Sequence, residues 1–380
     1  MTIVVVYSRE QAPKKFERSI FLMGPTPRSS SVKSWRREAL SLLARAGYDG
    51  VVFVPEDRPN KNGDVTYKAH YNDQISWETK CLNMSDVILV WVPRNLEVMP
   101  AFTTNIEWGE WKSSGKIVFG APPDAPKTTY MRTFAVENLV PHAFSLSQTV
   151  AVALQLLGQG SVRSDGDREV PLMIWRTSSF QQWYSTLRAG GNRIVHARVL
   201  STIRAPGSVV LSWTMSVQVY AGYANVVMPN EIISSRPDTC SLVLYRHMRQ
   251  SLKSEFVVVR AFSSSFGLTW RLPNLVIKQG SGFVAEAIHT CFRSFFINID
   301  RDRVRLLESH QADSNTSAHY VRGVAVSLSI EQIKSLRGIS VVGERGARLP
   351  VEIITLKQAL GSKMTDWSTL SMMMSAWHAK

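Results

Sequence analysis

Short, uninterrupted apolar runs separated by amphipathic stretches pattern the first 160 residues. Residues 3–7, 19–23, 51–54, 87–92 and 116–119 read as strands. Between them, residues 32–46 place Leu40, Leu42, Leu43 and Ala46 at helical spacing, with Gly47 as a stop. Residues 72–84 and 106–112 also read as helices, and a helix over 149–157 closes the series. Strands that are apolar at every position and alternate with helices belong to a parallel sheet covered on both faces. In such sheets the loops after the strands build the site. Here those loops are residues 24–28, 55–57, 93–104 and 120–124, and residues 55–68 form one long polar loop.

The pattern changes after a stretch rich in Gly, Ser and charge. Runs at 198–204, 209–220, 231–235, 241–245 and 255–261 read as strands, followed by a helix over 282–296. Further strands over 304–307 and 320–327 and a last helix over 368–377 complete an α+β half with a mixed sheet. The expected organisation is a first domain over 1–158, a linker over 159–169 and a second domain over 170–380.

Charge adds a question about partners. The chain carries 44 Lys+Arg against 30 Asp+Glu, a net +14. Residues 1–158 hold 18 against 15, and residues 159–380 hold 26 against 15. A surplus concentrated in one half suits a polyanion such as RNA, DNA or an anionic surface; it also suits plain colloidal solubility, since no Lys/Arg block occurs. No apolar run is long enough to span a membrane. The N-terminus reads as a first strand rather than a signal peptide. Three cysteines, Cys81, Cys240 and Cys291, lack metal-ligand or redox spacing. They suggest free thiols in a reducing, intracellular compartment, cytoplasmic by default with an organelle still open. No metal and no cofactor is expected.

Candidate chemistry centres on Glu107, within Ala101-Phe-Thr-Thr-Asn-Ile-Glu-Trp-Gly-Glu-Trp111. The expected helix start places it in a first turn, where backbone N–H groups and the helix dipole keep a carboxylate ionised and fit to attack a sugar carbon. A solvated acid that only complements the dipole is the alternative.

Four stretches together resemble the nucleoside 2-deoxyribosyltransferase-like family over about residues 18–130. They are Ser19-Ile-Phe-Leu-Met-Gly-Pro25, Trp77-Glu78, Met84-Ser-Asp-Val-Ile-Leu-Val90 and Phe102-Thr-Thr-Asn-Ile-Glu-Trp-Gly109. The resemblance implies a doubly wound, flavodoxin-like α/β domain. It makes Glu107 the nucleophile that forms a glycosyl ester, and Asp86 the group that orients it or protonates the leaving base. It assigns Gly24 and Pro25 to the loop near the sugar; Arg28 is a candidate phosphate contact with an ordinary surface arginine as the alternative, and Thr103 and Thr104 are candidate substrate contacts in the neighbouring loop. Transferases of the family often hold an Asp six residues before the nucleophile; here that residue is Ala101. The nearby hydroxyls are closer to relatives that hydrolyse deoxynucleoside monophosphates. A homo-oligomer is also compatible with the family.

Residues 170–380 resemble a Nudix domain through Phe256-Val-Val-Val-Arg-Ala-Phe262, Thr316-Ser-Ala-His319 and Asp366-Trp-Ser-Thr-Leu370. The metal-binding motif of that family is degenerate. His289 and Thr290 replace Arg-Glu, Arg293 and Ser294 replace Glu-Glu, and Glu286, six residues after Gly280, is the one acid in the other register. One carboxylate does not make a hard-cation site, so hydrolase activity is not expected here. Arg271 and Arg293 would favour an anion instead. Arg301, Arg303 and Arg305, alternating on a strand, would share one face that tracks phosphates. Trp175, Trp183, Trp213, Trp270, Trp367 and Trp377 are expected in the core, as packing rather than base-stacking residues.

Two functions follow. In the first, Glu107 cleaves an N-glycosidic bond or transfers a 2-deoxyribosyl group, beside a non-catalytic Nudix-like domain that binds an anion or partner. In the alternative, both domains are inactive and the chain is a basic component of an RNA-containing or other assembly.

Overall fold

Six parallel strands in the order β1-β3-β2-β4-β5-β6 form the sheet of the first half. They are β1 (Val4–Tyr7), β2 (Ser19–Met23), β3 (Val51–Val54), β4 (Val87–Trp91), β5 (Ile117–Gly120) and β6 (His142–Ala143). The helices are α1 (Arg36–Arg45), α2 (Tyr71–Met84), α3 (Phe102–Trp111), α4 (Thr129–Glu137) and α5 (Leu146–Leu157). The computed structural model describes residues 3–28, 32–59, 71–163, 165–205, 209–236, 239–264, 267–276, 282–311, 313, 316–343 and 346–378. Most of the expected 55–68 loop, and Gly280, lie outside the described residues.

Alternate side chains of each strand enter opposite cores, which is why the central strands are apolar at almost every position. Phe21, Met23, Phe53, Ile88, Val90 and Phe119 pack on one face with Cys81, Trp108 and Met131 of α2, α3 and α4. Ile20, Leu22, Val52, Leu89 and Val118 pack on the other with Ala39 and Leu43 of α1 and Val150 and Ala153 of α5. The chain thus leaves β2 over one face and approaches β4 over the other. That reversal opens a crevice at the carboxyl ends of β2 and β4.

α4 and β6 lack a clear sequence signal. Tyr130 and Val136 of α4 are 79% and 61% exposed, so its apolar residues do not mark one buried stripe. α3 begins at Phe102 rather than Ile106, which moves Glu107 out of the first turn into the second. Ala101 precedes it in the left-handed region, φ 62°, where a side chain without local hydrogen-bonding capacity is disfavoured.

The chain divides into two compact units, residues 1–236 and 237–380. Residues 159–169, expected as a linker, are largely packed: Arg163, Asp167 and Arg168 are buried, and Asp165–Glu169 forms a 3-10 turn. α6 (Leu172–Trp175) and α7 (Ser178–Ala189) follow. Then comes an antiparallel sheet of β7 (Arg193–Ala205), β8 (Val209–Ala221), β9 (Val226–Val227) and β10 (Glu231–Ser235).

Arginines tie this segment to the first sheet's layers. Arg176 donates to the Leu156 and Leu157 carbonyls at the end of α5. Arg204 donates to those of Asn138 and Leu139 after α4. Both satisfy carbonyls that a helix terminus leaves open. With the division at 236, the first unit holds 26 Lys+Arg against 19 Asp+Glu and the second 18 against 11, so each carries +7. The charge asymmetry read along the chain is not an asymmetry between units.

The second unit is built on a mixed sheet. Its strands are β11 (Thr239–Arg246), β12 (Glu255–Ser263), β13 (Gly267–Arg271), β14 (Val304–Leu306), β15 (His310–Gln311), β16 (Tyr320–Ser327), β17 (Ser340–Val342) and β18 (Arg348–Thr355). The main path is β14-β16-β11-β12-β18-β17, with β11 and β16 parallel and the other pairs antiparallel. α8 (Phe283–Phe295) covers one face through Ala287, Cys291 and Phe295. Short α9 (Ile330–Ser335) adds Ile333 to that same core, and α10 (Leu356–Gly361) adds Leu356 and Ala359 to the other. α11 (Trp367–His378) covers the second face through Leu370, Met373 and Ala376. Trp213 is fully buried, but Trp367 is 84% exposed, against the expectation of a core residue.

Candidate active site

The crevice at the ends of β2 and β4 is a cleft of about 430 Å³. It brings together Gly24, Pro25, Arg28, Thr103, Thr104 and Glu107, six of the seven residues expected around a substrate. Asp86 is not among them. It immediately precedes β4, at the amino end of the strand, whereas the cleft lies beyond the carboxyl end. Its carboxylate is fully buried, ion-paired to Arg163 and accepting from Ser19 Oγ at 2.8 Å. The expected role of Asp86 beside Glu107 is therefore replaced by a structural one: it neutralises the guanidinium that fixes residues 159–169 beneath the sheet. Lys116 joins this buried cluster, donating to the Asn83 and Arg168 carbonyls, and burial pulls its pKa down to about 7.

The second carboxylate of the cleft is Glu78, on α2. Burial raises its pKa, an effect offset by a hydrogen bond from Gln74 Nε2 at 2.8 Å and by the charge of Arg36. Glu107 is pushed up to about 7 by burial first and by the negative charge of Glu78 second, with Arg36 opposing. This corrects the expectation of a dipole-stabilised, fully ionised acid: in the second turn the N–H groups of α3 are engaged in the helix, and desolvation prevails. Both carboxyls of the cleft therefore hold their protons more tightly than a solvated Glu. Gln74 and Glu78 stand four residues apart on α2, a spacing that puts both on one helix face and was legible in the sequence.

Arg36 shapes the cleft rather than offering donors to it. It is 1% exposed and donates to the carbonyls of Leu22, Gly24 and Pro25, to Thr26 Oγ1 and to Glu56 Oε1. The loop after β2 is thereby held at three successive points. Gly24, at φ 155°, is needed because a Cβ there would collide with the Trp91 carbonyl and the Trp35 ring. At the mouth, the guanidinium of Arg28 lies over the exposed Phe102 ring, 5.6 Å from its centroid. Thr104 is buried and Thr103 exposed along the wall that α3 contributes.

The anion site expected in the second unit does not assemble. Arg293 lies on α8 in a cleft of about 370 Å³ with Glu286, His289, Thr290 and Ser294, but Arg271 is not part of it. Arg301 and Arg303 lie in a 3-10 turn, not on a strand. Arg303 donates to Gln332, and Arg305, on β14, donates to the Ala376 carbonyl. The short turn breaks the alternation that would have set three guanidinia on one face.

A model of the nucleoside 2-deoxyribosyltransferase-like family matches residues 17–125. The match spans every residue that lines the cleft and under a third of the chain. These residues form a nucleoside 2-deoxyribosyltransferase-like domain. No curated protein sequence matches the chain. Among solved structures, one described as "Crystal structure of ADP compounds hydrolase" is similar at 10% identity and a TM-score of 0.33, over 48% of this chain and 90% of that one. Among the described residues, no helix is long and apolar enough to cross a membrane.

Proposed function

We propose that the first unit breaks the N-glycosidic bond of a nucleoside or deoxynucleotide. The observation that carries this reading is the pair Glu107 and Glu78, facing one cleft and raised in proton affinity by burial. Ionised Glu107 attacks the anomeric carbon. The carbon–nitrogen bond breaks, its electron pair goes to the base, and the leaving base takes up a proton from water. Water or a second base then attacks the anomeric carbon of the ester, giving its proton to Glu78 and releasing Glu107 as carboxylate.

Arg28 at the mouth suits a 5′-phosphate, and Thr103 and Thr104 suit sugar hydroxyls. Ala101 supplies no acceptor where transferases of this family often hold an Asp, which favours hydrolysis of a monophosphate over transfer. The second unit, with Glu286 as the one carboxylate among the described residues lining its α8 cleft, takes no catalytic part in this reading. A role as a polyanion-binding scaffold has less support. Of the eight arginines in residues 159–236, Arg163, Arg168, Arg176, Arg198 and Arg204 bond within the protein.

The test is a panel of deoxynucleosides and their 5′-monophosphates, with free base followed by chromatography. Base release that disappears in Glu107→Ala, with the circular dichroism spectrum unchanged, supports the assignment. A folded protein that releases base from no substrate overturns it. Salt-sensitive copurification with nucleic acid would then point to the scaffold role.

A further inference from the structure

A second cavity lies beside the same helix. α3 and α4 enclose a groove of about 260 Å³ that shares no lining residue with the Glu107 cleft. Trp108, 3% exposed and 4.9 Å from the Phe119 ring centroid, lines it, and its indole N–H is buried with no hydrogen-bond partner among the described residues.

Gly109 marks the open side of the groove. It sits in the middle of α3, where glycine weakens a helix. A Cβ built there meets nothing within 4 Å, so no internal contact requires glycine at this position. What the missing side chain leaves is open groove.

The walls are aromatic and the rim is cationic. Tyr130 and Phe134 of α4, with ring centroids 6.2 Å apart, form one side. Lys112 and Lys127 flank the groove, and no Asp or Glu among the described residues lines it. The volume is just below the range typical of sites for drug-sized ligands, which fits one or two fused rings and excludes a folded segment of another protein.

We infer that the groove between α3 and α4 is a binding site for a small planar aromatic anion. Its rings lie between Tyr130, Phe134 and the open face at Gly109, and its anionic group meets the lysines. Because Trp108 follows Glu107 directly, an occupant would touch the helix that carries the proposed nucleophile. The inference does not depend on the reaction proposed for that residue.

The probe is 2-naphthoate, titrated into the full-length chain and followed by tryptophan fluorescence and calorimetry. Saturable binding is expected, weakened about tenfold or more in Gly109→Leu, whose side chain fills the groove. The neutral 2-naphthamide should bind several-fold more weakly than 2-naphthoate, as should 2-naphthoate to the pair Lys112→Ala with Lys127→Ala. Gly109→Leu should melt no lower than the parent, since a mid-helix glycine is replaced where there is open space. Absence of saturable binding, equal affinity in Gly109→Leu, or equal affinity for the amide would each overturn the assignment.

Discussion

Glu78 on α2 and Glu107 on α3 line one cleft, and the charge of the first raises the proton affinity of the second. Removing that charge should release part of the shift. In Glu78→Gln, the titration midpoint of Glu107, followed by carbon NMR of labelled side chains, should fall from about 7 toward the ordinary carboxylate range. Any activity should extend to lower pH on its acid limb and lose overall rate, because the carboxylate that takes the proton of the attacking water is gone. A midpoint that stays in place would mean that burial alone sets it.

The same raised pKa makes Glu107 a cost to the fold at higher pH. The native state holds the Glu107 proton more tightly than the unfolded chain, whose value is near 4.5. Its contribution is therefore fully present below about 4.5 and is lost as pH rises through about 7. Glu107→Gln, neutral at every pH, should be more stable than the parent at pH 8 by on the order of 1–3 kcal/mol and no more stable at pH 4. Thermal melts at the two pH values read the difference directly. Equal melting shifts at both would sink the linkage.

Asp86 should behave as a structural residue. Asp86→Ala leaves Arg163 buried without its counter-charge, a change that costs about 3–5 kcal/mol. Chemical denaturation measures the loss. Adding Arg163→Leu should recover part of it, since the unpaired charge is then removed. The Glu107 titration midpoint should not move in the folded fraction; a moved midpoint would show that Asp86 reaches the cleft after all.

Gly24 tests the loop after β2. Gly24→Ala drives a Cβ into the Trp91 carbonyl and the Trp35 ring, and neither can withdraw without disturbing β4 or α1. The expected loss is on the order of 1–3 kcal/mol, together with weakened substrate binding. A variant as stable as the parent would show that the loop has room to shift.

Much of the architecture was legible in the residues alone. Ser19–Met23, Val51–Val54 and Val87–Trp91 are apolar at almost every position because both sheet faces are covered, so their pattern named the parallel sheet and the ends where a site must form. Gly24, Pro25, Arg28, Thr103, Thr104 and Glu107 could be placed around one site because they lie in the loops and helix start that follow two adjacent strands. α4 stayed hidden because apolar Tyr130, Phe134 and Val136 are exposed while Met131 and Ala135 are buried, so no apolar stripe marks its inner face.

What only the tertiary structure decided concerns partners distant along the chain. Burial, not the helix dipole, governs Glu107, because α3 starts four residues earlier than the local pattern indicated. Asp86 and Glu78 are both acids in family-like stretches, and which one meets Glu107 depends on which end of the sheet each occupies. Residues 159–169 read as a solvated linker because their charges are visible in sequence while their partners are not: Arg163 bonds across 77 residues to Asp86, and Arg168 across 152 to Phe16. Local pattern determined the elements; the long-range pairing of charge and the exclusion of water determined what each charged residue does.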